Sequence, residues 1–184
     1  MGQMLEDRHL YAAFLAAMQA EPLITLHSGQ KVIGQSTDAG AATVTLEGGS
    51  VLRGRVLVGC DGRDSAVARR AGIKRWGWDY GQTALVCAID HELPHDGIAH
   101  QFFMPHGPLA ILPLPGNRSS IVWSERTATA QAINALDDDG YLEVLRPRFG
   151  DFLGQISLAG ARFAHPLRLT IAEEFVAPRL ALVG

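Results

Sequence analysis

Cysteine is scarce in this sequence. Cys60 and Cys87 are the only two, far apart and each in an apolar stretch, too few for a disulfide framework or a four-cysteine zinc site. A reducing cytoplasm fits that usage. Strong charge of either sign is missing too: 16 Lys and Arg stand against 19 Asp and Glu, for a net charge of −3. The basic residues are scattered, which argues against nucleic acid as a partner, because phosphate contacts need clustered Lys and Arg. No apolar run approaches the roughly 18 to 20 residues that span a bilayer. The N-terminus also lacks the basic-then-apolar pattern of a secretory signal. A cytoplasmic protein is expected, with peripheral attachment to the inner membrane left open. Internal repeats and low-complexity segments are absent as well. What is present is 47% hydrophobic content in 184 residues, enough for one full core or two small ones.

Leu10, Ala13, Phe14, Ala17 and Met18 fall at i, i+3, i+4, i+7 and i+8. This is one apolar face of a helix running from near Glu6 to before Pro22. Leu23-Ile24-Thr25-Leu26 reads as a short buried strand. Ala42 to Leu46 alternates like a half-exposed one, followed by a hairpin turn at Gly48-Gly49. Arg55 to Gly59 reads as a central strand running into Cys60-Asp61-Gly62-Arg63-Asp64-Ser65, where Ser65 can cap a helix through Arg70 closed by Gly72. Glycines there would let a ligand approach the backbone, and free N–H groups at the helix start would favour an anion such as a pyrophosphate. An ordinary strand-to-helix turn accounts for the same residues.

The second half is strand-like and punctuated by proline. Thr83–Ile89, Gln101–Met104, Leu109–Leu114 and Ser120–Trp123, joined by short turns, predict an antiparallel sheet, and Pro113 places its strand at an edge or at its end. Thr127 through Leu136 and Tyr141 through Phe152 read as helices, the first stopped by Asp137-Asp138-Asp139 and Gly140. The acidic run is simplest as a solvated helix end. Arg162 through Leu169 predicts a further strand. Pro178 to Gly184 reads as a buried strand heading for a glycine turn. A chain that stops there leaves backbone and apolar groups without partners, so truncation of a longer protein is expected.

His91-Glu92-Leu93-Pro94-His95 matches the His-Glu-x-x-His pattern of zinc peptidases, which needs both histidines on one helix face. Pro94 disfavours that helix and Asp96-Gly97 signals a turn, so the segment reads as a loop. Gly29 and Gly34 have P-loop spacing but are followed by Gln35-Ser36, without the lysine that reaches phosphate. Asn117-Arg118-Ser119 is a formal glycosylation sequon, better read as a turn between strands.

Val56-Leu57-Val58-Gly59-Cys60-Asp61-Gly62-Arg63-Asp64-Ser65-Ala66-Val67, followed by Arg69, resembles the Asp-Gly motif of class A FAD-dependent aromatic monooxygenases, the para-hydroxybenzoate hydroxylase-like group. Glu6 to Leu10, Gly107 to Leu114, Ser119 to Ser124 and His165-Pro166-Leu167 resemble stretches of its ubiquinone-biosynthesis hydroxylase branch. The matches occur in order across nearly the whole chain.

The resemblance implies a mixed fold, α+β or α/β. A partial FAD-binding domain of the glutathione-reductase-like kind, 1–75 and 176–184, would flank a mostly antiparallel substrate-domain sheet with helices, 76–175. It implies FAD and NAD(P)H as cofactors of the parent enzyme and hydroxylation of an aromatic ring, in this branch a prenylated phenol. Arg8, Val32, Cys60, Asp61 and Gly62 correspond to cofactor-contacting positions, while no catalytic residue and no metal ligand are assigned. Phe102, Phe103, Leu112 and Trp123 could line an apolar substrate cavity, though core packing suits each better. The family's Gly-x-Gly-x-x-Gly turn and its later Gly-Asp motif are not in these 184 residues. The chain is therefore expected to be an internal portion that is inactive alone and holds no cofactor. A peripheral membrane or biosynthetic complex association and a homodimer are compatible with exposed inner faces. A lipid-binding or scaffold module is the non-catalytic alternative.

Overall fold

The computed structural model describes residues 2–184. In chain order the elements are α1 (Asp7–Ala20), β1 (Val32–Thr37), β2 (Ala42–Leu46), β3 (Val51–Gly54), β4 (Leu57–Gly59), α2 (Ala66–Arg70), β5 (Arg75–His91), β6 (His100–Met104), β7 (Gly107–Leu114) and β8 (Arg118–Arg126). They continue with α3 (Thr127–Asn134), α4 (Asp138–Phe149), β9 (Ile156–Leu158), β10 (Phe163–Ala172), β11 (Val176–Ala177) and β12 (Leu180–Leu182). Two compact units result. One contains the chain up to Ala13 with Asp79–Arg168, the other Phe14–Trp78 with Leu169–Gly184. Among the described residues no helix is long and apolar enough to cross a membrane.

The first unit is built on a sheet ordered β10-β5-β8-β7-β6, with β9 also paired to β5. Its register sets Leu85 opposite Trp123, Cys87 opposite Ile121, and Ile111 opposite Ile121 on the other side. Successive strand residues point to opposite faces, so the odd-numbered residues of β5, β7 and β8 share one face. Leu85, Cys87, Ile89, Leu109, Ile111, Ile121 and Trp123 are all buried there. Ala130 and Ile133 of α3 cover this face together with Tyr141, Leu142, Leu145 and Phe149 of α4, which recur at helical spacing. Phe102 faces the same side, edge-on to Phe152 at 6.3 Å. Trp123 is core, as expected. Phe103 is a correction: paired with Pro108 at the open side, it is 83% exposed.

Pro113 lies in an interior strand, since β7 runs between β8 and β6. The β6 pairing stops at Ile111, and β7 itself ends at Leu114. Proline therefore removes no ladder bond on that side. The acidic run does not close α3 but opens α4. The Asp137 carboxylate accepts from Gly140 N at 2.9 Å, and Asp138 and Asp139 fill the first turn, where the helix dipole favours anions. Arg162 ties the two helices: Nη2 donates to Leu136 O at 2.7 Å, lies 3.4 Å from the Asp138 carboxylate, and its guanidinium covers the Tyr141 ring at 4.8 Å. The segment after His91 is a loop, as Pro94 implied. Its imidazoles bond locally, His91 to Leu93 O and Ser119 Oγ, His95 to Leu114 O and Gly97 N.

The second unit carries the antiparallel sheet β1-β2-β3 and the sheet β11-β12-β4, in which β4 and β12 are parallel. β4 was expected at the centre. Among the described residues it is an edge strand, and β12 takes the middle. Leu23 to Leu26 is not a strand either. Glu21 closes a turn over it, with O accepting from Ile24 N and the carboxylate from Leu23 N, and Leu23, Ile24 and Leu26 are exposed. Arg179, with φ 56°, donates to the carbonyls of Asp38, Ala39 and Arg55, riveting the β1–β2 turn to the loop before β4. Gly77 is required on β5, because a Cβ there would collide with the Leu169 carbonyl.

The division of faces makes a direct prediction. Ile121→Ala, on the core face, should cost about 2 to 5 kcal/mol by lost burial and cavity formation. Val122→Ala, one residue on, should cost less than about 1 kcal/mol. Denaturant midpoints of the two variants check this; equal costs would contradict the register.

Candidate functional site

Cys60, Asp61 and Gly62 form one turn between β4 and α2. Gly59 precedes it because a Cβ there would lie 2.8 Å from Val67 Cγ1 and 3.0 Å from Leu182 Cδ2. The strand and helix can approach so closely only at a glycine. Gly62 serves conformation rather than space: its φ is +75°, and a Cβ would meet nothing within 4 Å. Cys60 is exposed.

Asp61 turns inward on the helix. One carboxylate oxygen accepts from Ser65 Oγ at 2.6 Å, the other from Ala66 N at 2.7 Å and Val67 N at 3.1 Å. Ser65 Oγ in turn accepts from Ala68 N at 2.9 Å. The first three N–H groups of α2 are thus satisfied within the turn. The sequence suggested free donors for a pyrophosphate at this helix start, and the geometry corrects that: a side-chain carboxylate already occupies the position an anion would take. The signal was in the sequence, as an aspartate four residues ahead of the capping serine. Burial pushes the Asp61 carboxyl up, but the hydrogen bonds from Ser65, Val67, Ala66 and its own N–H outweigh it, and the net shift is downward.

Val32 is tied to the same helix, its carbonyl accepting from Arg70 Nη2 at 2.6 Å, and Gln35 Nε2 reaches Val67 O at 3.0 Å. Arg8 belongs to the other compact unit. There it is exposed at the start of α1 and pairs with Glu6 at 3.0 Å. Of the five positions the sequence resemblance pointed to, Cys60, Asp61, Gly62 and Val32 gather around α2 and Arg8 does not. The residues present do not fit the pyrophosphate of a dinucleotide, because the one candidate helix end is internally capped and α2 has only five residues.

The even-numbered face of the first unit's sheet is a different kind of surface. A cleft of 440 Å³ opens on it, with Val86, Ala88, Leu114 and Ser120 as floor and Leu5 and Phe163 as walls. None of these six was singled out as a site residue from sequence. The alternation of β5 and β8, with small or partly exposed residues at even positions, was the available signal. Cys87 also reaches the cleft, but its thiol lies 3.7 Å from the Tyr141 hydroxyl. Burial pushes both groups up, so neither acts as a base or nucleophile near neutrality.

Asp61→Asn puts an amide where two N–H donors converge and should cost about 0.5 to 2 kcal/mol, as for lost helix caps. A carboxyl depressed by folding stabilises above the ordinary aspartate value of 3.8 and loses that contribution as pH falls through its lower folded value. The stability gap between the two proteins should therefore be constant above about pH 5 and shrink in more acidic solution. Denaturation midpoints across that range test it, and a gap independent of pH would refute the capping role.

No family model matches the chain. It is 42% identical over all 184 residues to the ubiquinone hydroxylase UbiL of Rhodospirillum rubrum, covering 43% of that protein. It is 31% identical over its whole length to the 3-demethoxyubiquinol 3-hydroxylase of Escherichia coli, covering 47% of it. Among solved structures it resembles p-nitrophenol 4-monooxygenase from Pseudomonas putida, with TM-score 0.76 and 17% identity over 98% of this chain and 47% of that one. It also resembles the flavin-dependent monooxygenase PieE, with TM-score 0.77 and 16% identity over 98% of this chain and 33% of that one. The chain spans less than half the length of these relatives. The chain thus has the fold of the flavin-dependent monooxygenases, and its homologues are ubiquinone hydroxylases, of which it matches less than half the length.

Proposed function

We propose that this chain supplies the substrate-binding sheet and part of the flavin-side framework of an FAD- and NAD(P)H-dependent monooxygenase that hydroxylates the ring of a prenylated phenol. The observation that carries the reading is the 42% identity to a ubiquinone hydroxylase across every residue of the chain. The first unit would be the substrate side, because its sheet has one face packed by helices and one face open over an apolar cleft. Such clefts, with few polar groups, suit small apolar ligands. The second unit would be the flavin side. In it Asp61, Gly62 and Cys60 would shape the wall of the cofactor site, with Asp61 positioning the turn rather than binding phosphate, and Val32 would lie along the same wall. Arg8, in the first unit, would be a further cofactor-contacting position. Flavin would supply the oxidative chemistry.

The apolar residues exposed in the second unit, Leu23, Ile24, Val56, Val58 and Val176, support association with further protein, including a second copy of this chain or a membrane-peripheral biosynthetic complex. A purely structural module is less economical, since a scaffold has no use for a cleft on the open face of the sheet.

Replacing the matching 184 residues of the Rhodospirillum rubrum hydroxylase with this chain tests the reading. The purified chimera should oxidise NAD(P)H in a prenylphenol-dependent manner and release a hydroxylated ring detectable by mass spectrometry. A folded, FAD-loaded chimera that oxidises NAD(P)H without hydroxylating any prenylated phenol would contradict it.

A further inference from the structure

Two consecutive serines on β8 have opposite fates. Ser119 is buried on the core face and its hydroxyl meets His91 Nε2 at 3.1 Å. Ser120 points to the open face, flanked across the ladder by Ala88 and Leu112, and lies in the cleft floor. Among the described residues its hydroxyl makes no hydrogen bond. It is the one hydroxyl in a lining otherwise made of apolar side chains, part of Cys87, whose thiol faces Tyr141 in the core, and two carboxylates, Glu6 and Asp7. No lysine, arginine or histidine lines the cleft.

We propose that Ser120 is a specificity-determining residue of this cleft, its hydroxyl hydrogen-bonding the ring oxygen of an uncharged phenol whose apolar substituent runs over Ala88, Ala159 and Ala161. The inference rests on the hydroxylase reading and adds to it which side chain reads the ring. A ligand that covers Ser120 removes it from water, and a hydroxyl left unpaired under a ligand carries a penalty. A ring bearing an oxygen beside it escapes that penalty, whereas a ring without a free hydroxyl does not. The three alanines leave room for an alkenyl chain that larger residues would exclude. The Glu6 carboxylate at the rim is already paired with Arg8 at 3.0 Å, so the selectivity rests on Ser120. The cleft thus selects a phenol over its methyl ether through Ser120.

Isothermal titration of the 184-residue chain tests this with two probes: 2-geranylphenol and its methyl ether. The wild-type chain should bind the phenol about three- to tenfold more tightly than the ether, the worth of one hydrogen bond. Ser120→Ala should erase the preference for phenol over ether while leaving ether binding unchanged. Ser120→Thr, which keeps the hydroxyl, should restore it. If Ser120→Ala retains the full preference, or the wild-type chain does not distinguish phenol from ether, the assignment is overturned. Failure of the chimera to hydroxylate, with Ser120-dependent selectivity intact here, would sink the hydroxylase reading and leave this one standing.

Discussion

The register between β5, β8 and β7 is the constraint on which the first unit depends. Strand residues alternate between faces, so one choice of pairing sends Leu85, Ile89, Leu109, Ile111, Ile121 and Trp123 under α3 and α4 and leaves Val86, Ala88 and Ser120 on the other side. A slip of one residue would exchange the two sets, burying Ser120 and exposing Trp123. Core and cleft are therefore two results of the same decision. The turn at Gly107 shows how tightly it is held: a Cβ there would lie 2.7 Å from Ser124 Cβ, and its φ of +137° suits glycine.

In the second unit a comparable role falls to one carboxylate. Asp61 gathers Ser65, Ala66 and Val67 around itself and closes the start of α2, while Gly59 lets that helix lie against β4 and β12. The arrangement makes the turn rigid at the cost of its usefulness as an anion site. A motif that looks like a phosphate cradle in sequence is, in the fold, a self-satisfied cap that presents backbone and the Cys60 side chain outward.

Much of this architecture could be read from the residues alone. The helical spacing from Leu10 to Met18, the Gly48-Gly49 hairpin, the Ser65 cap and four antiparallel strands depend on local patterns, and each is present. The failures have a common physical origin in partners far away in sequence. Leu23 to Leu26 has a strand's composition but no strand beside it, so the Glu21 turn prevails. β9 and β11 are three and two residues long, too short for any periodicity. The Asp137 run could end one helix or begin the next, and only the Gly140 N–H pointing at Asp137 decides between them. Arg179 contacts carbonyls more than 120 positions earlier, a role no spacing reveals. The cleft residues escaped notice because alanines and a lone serine carry no motif; they acquire meaning once the parity of the strands is known.

On the proposed function, the chain would supply a substrate-side sheet and a cofactor wall, while the internally capped start of α2 offers no anchor for the cofactor's phosphates. A titration of FAD with the purified 184-residue chain, followed by flavin fluorescence, tests it most directly. The account predicts no saturable quenching at micromolar concentrations, since the α2 donors are already taken by Asp61 and Ser65. Tight quenching that saturates at one FAD per chain would contradict it, because these residues would then have to form a complete dinucleotide site.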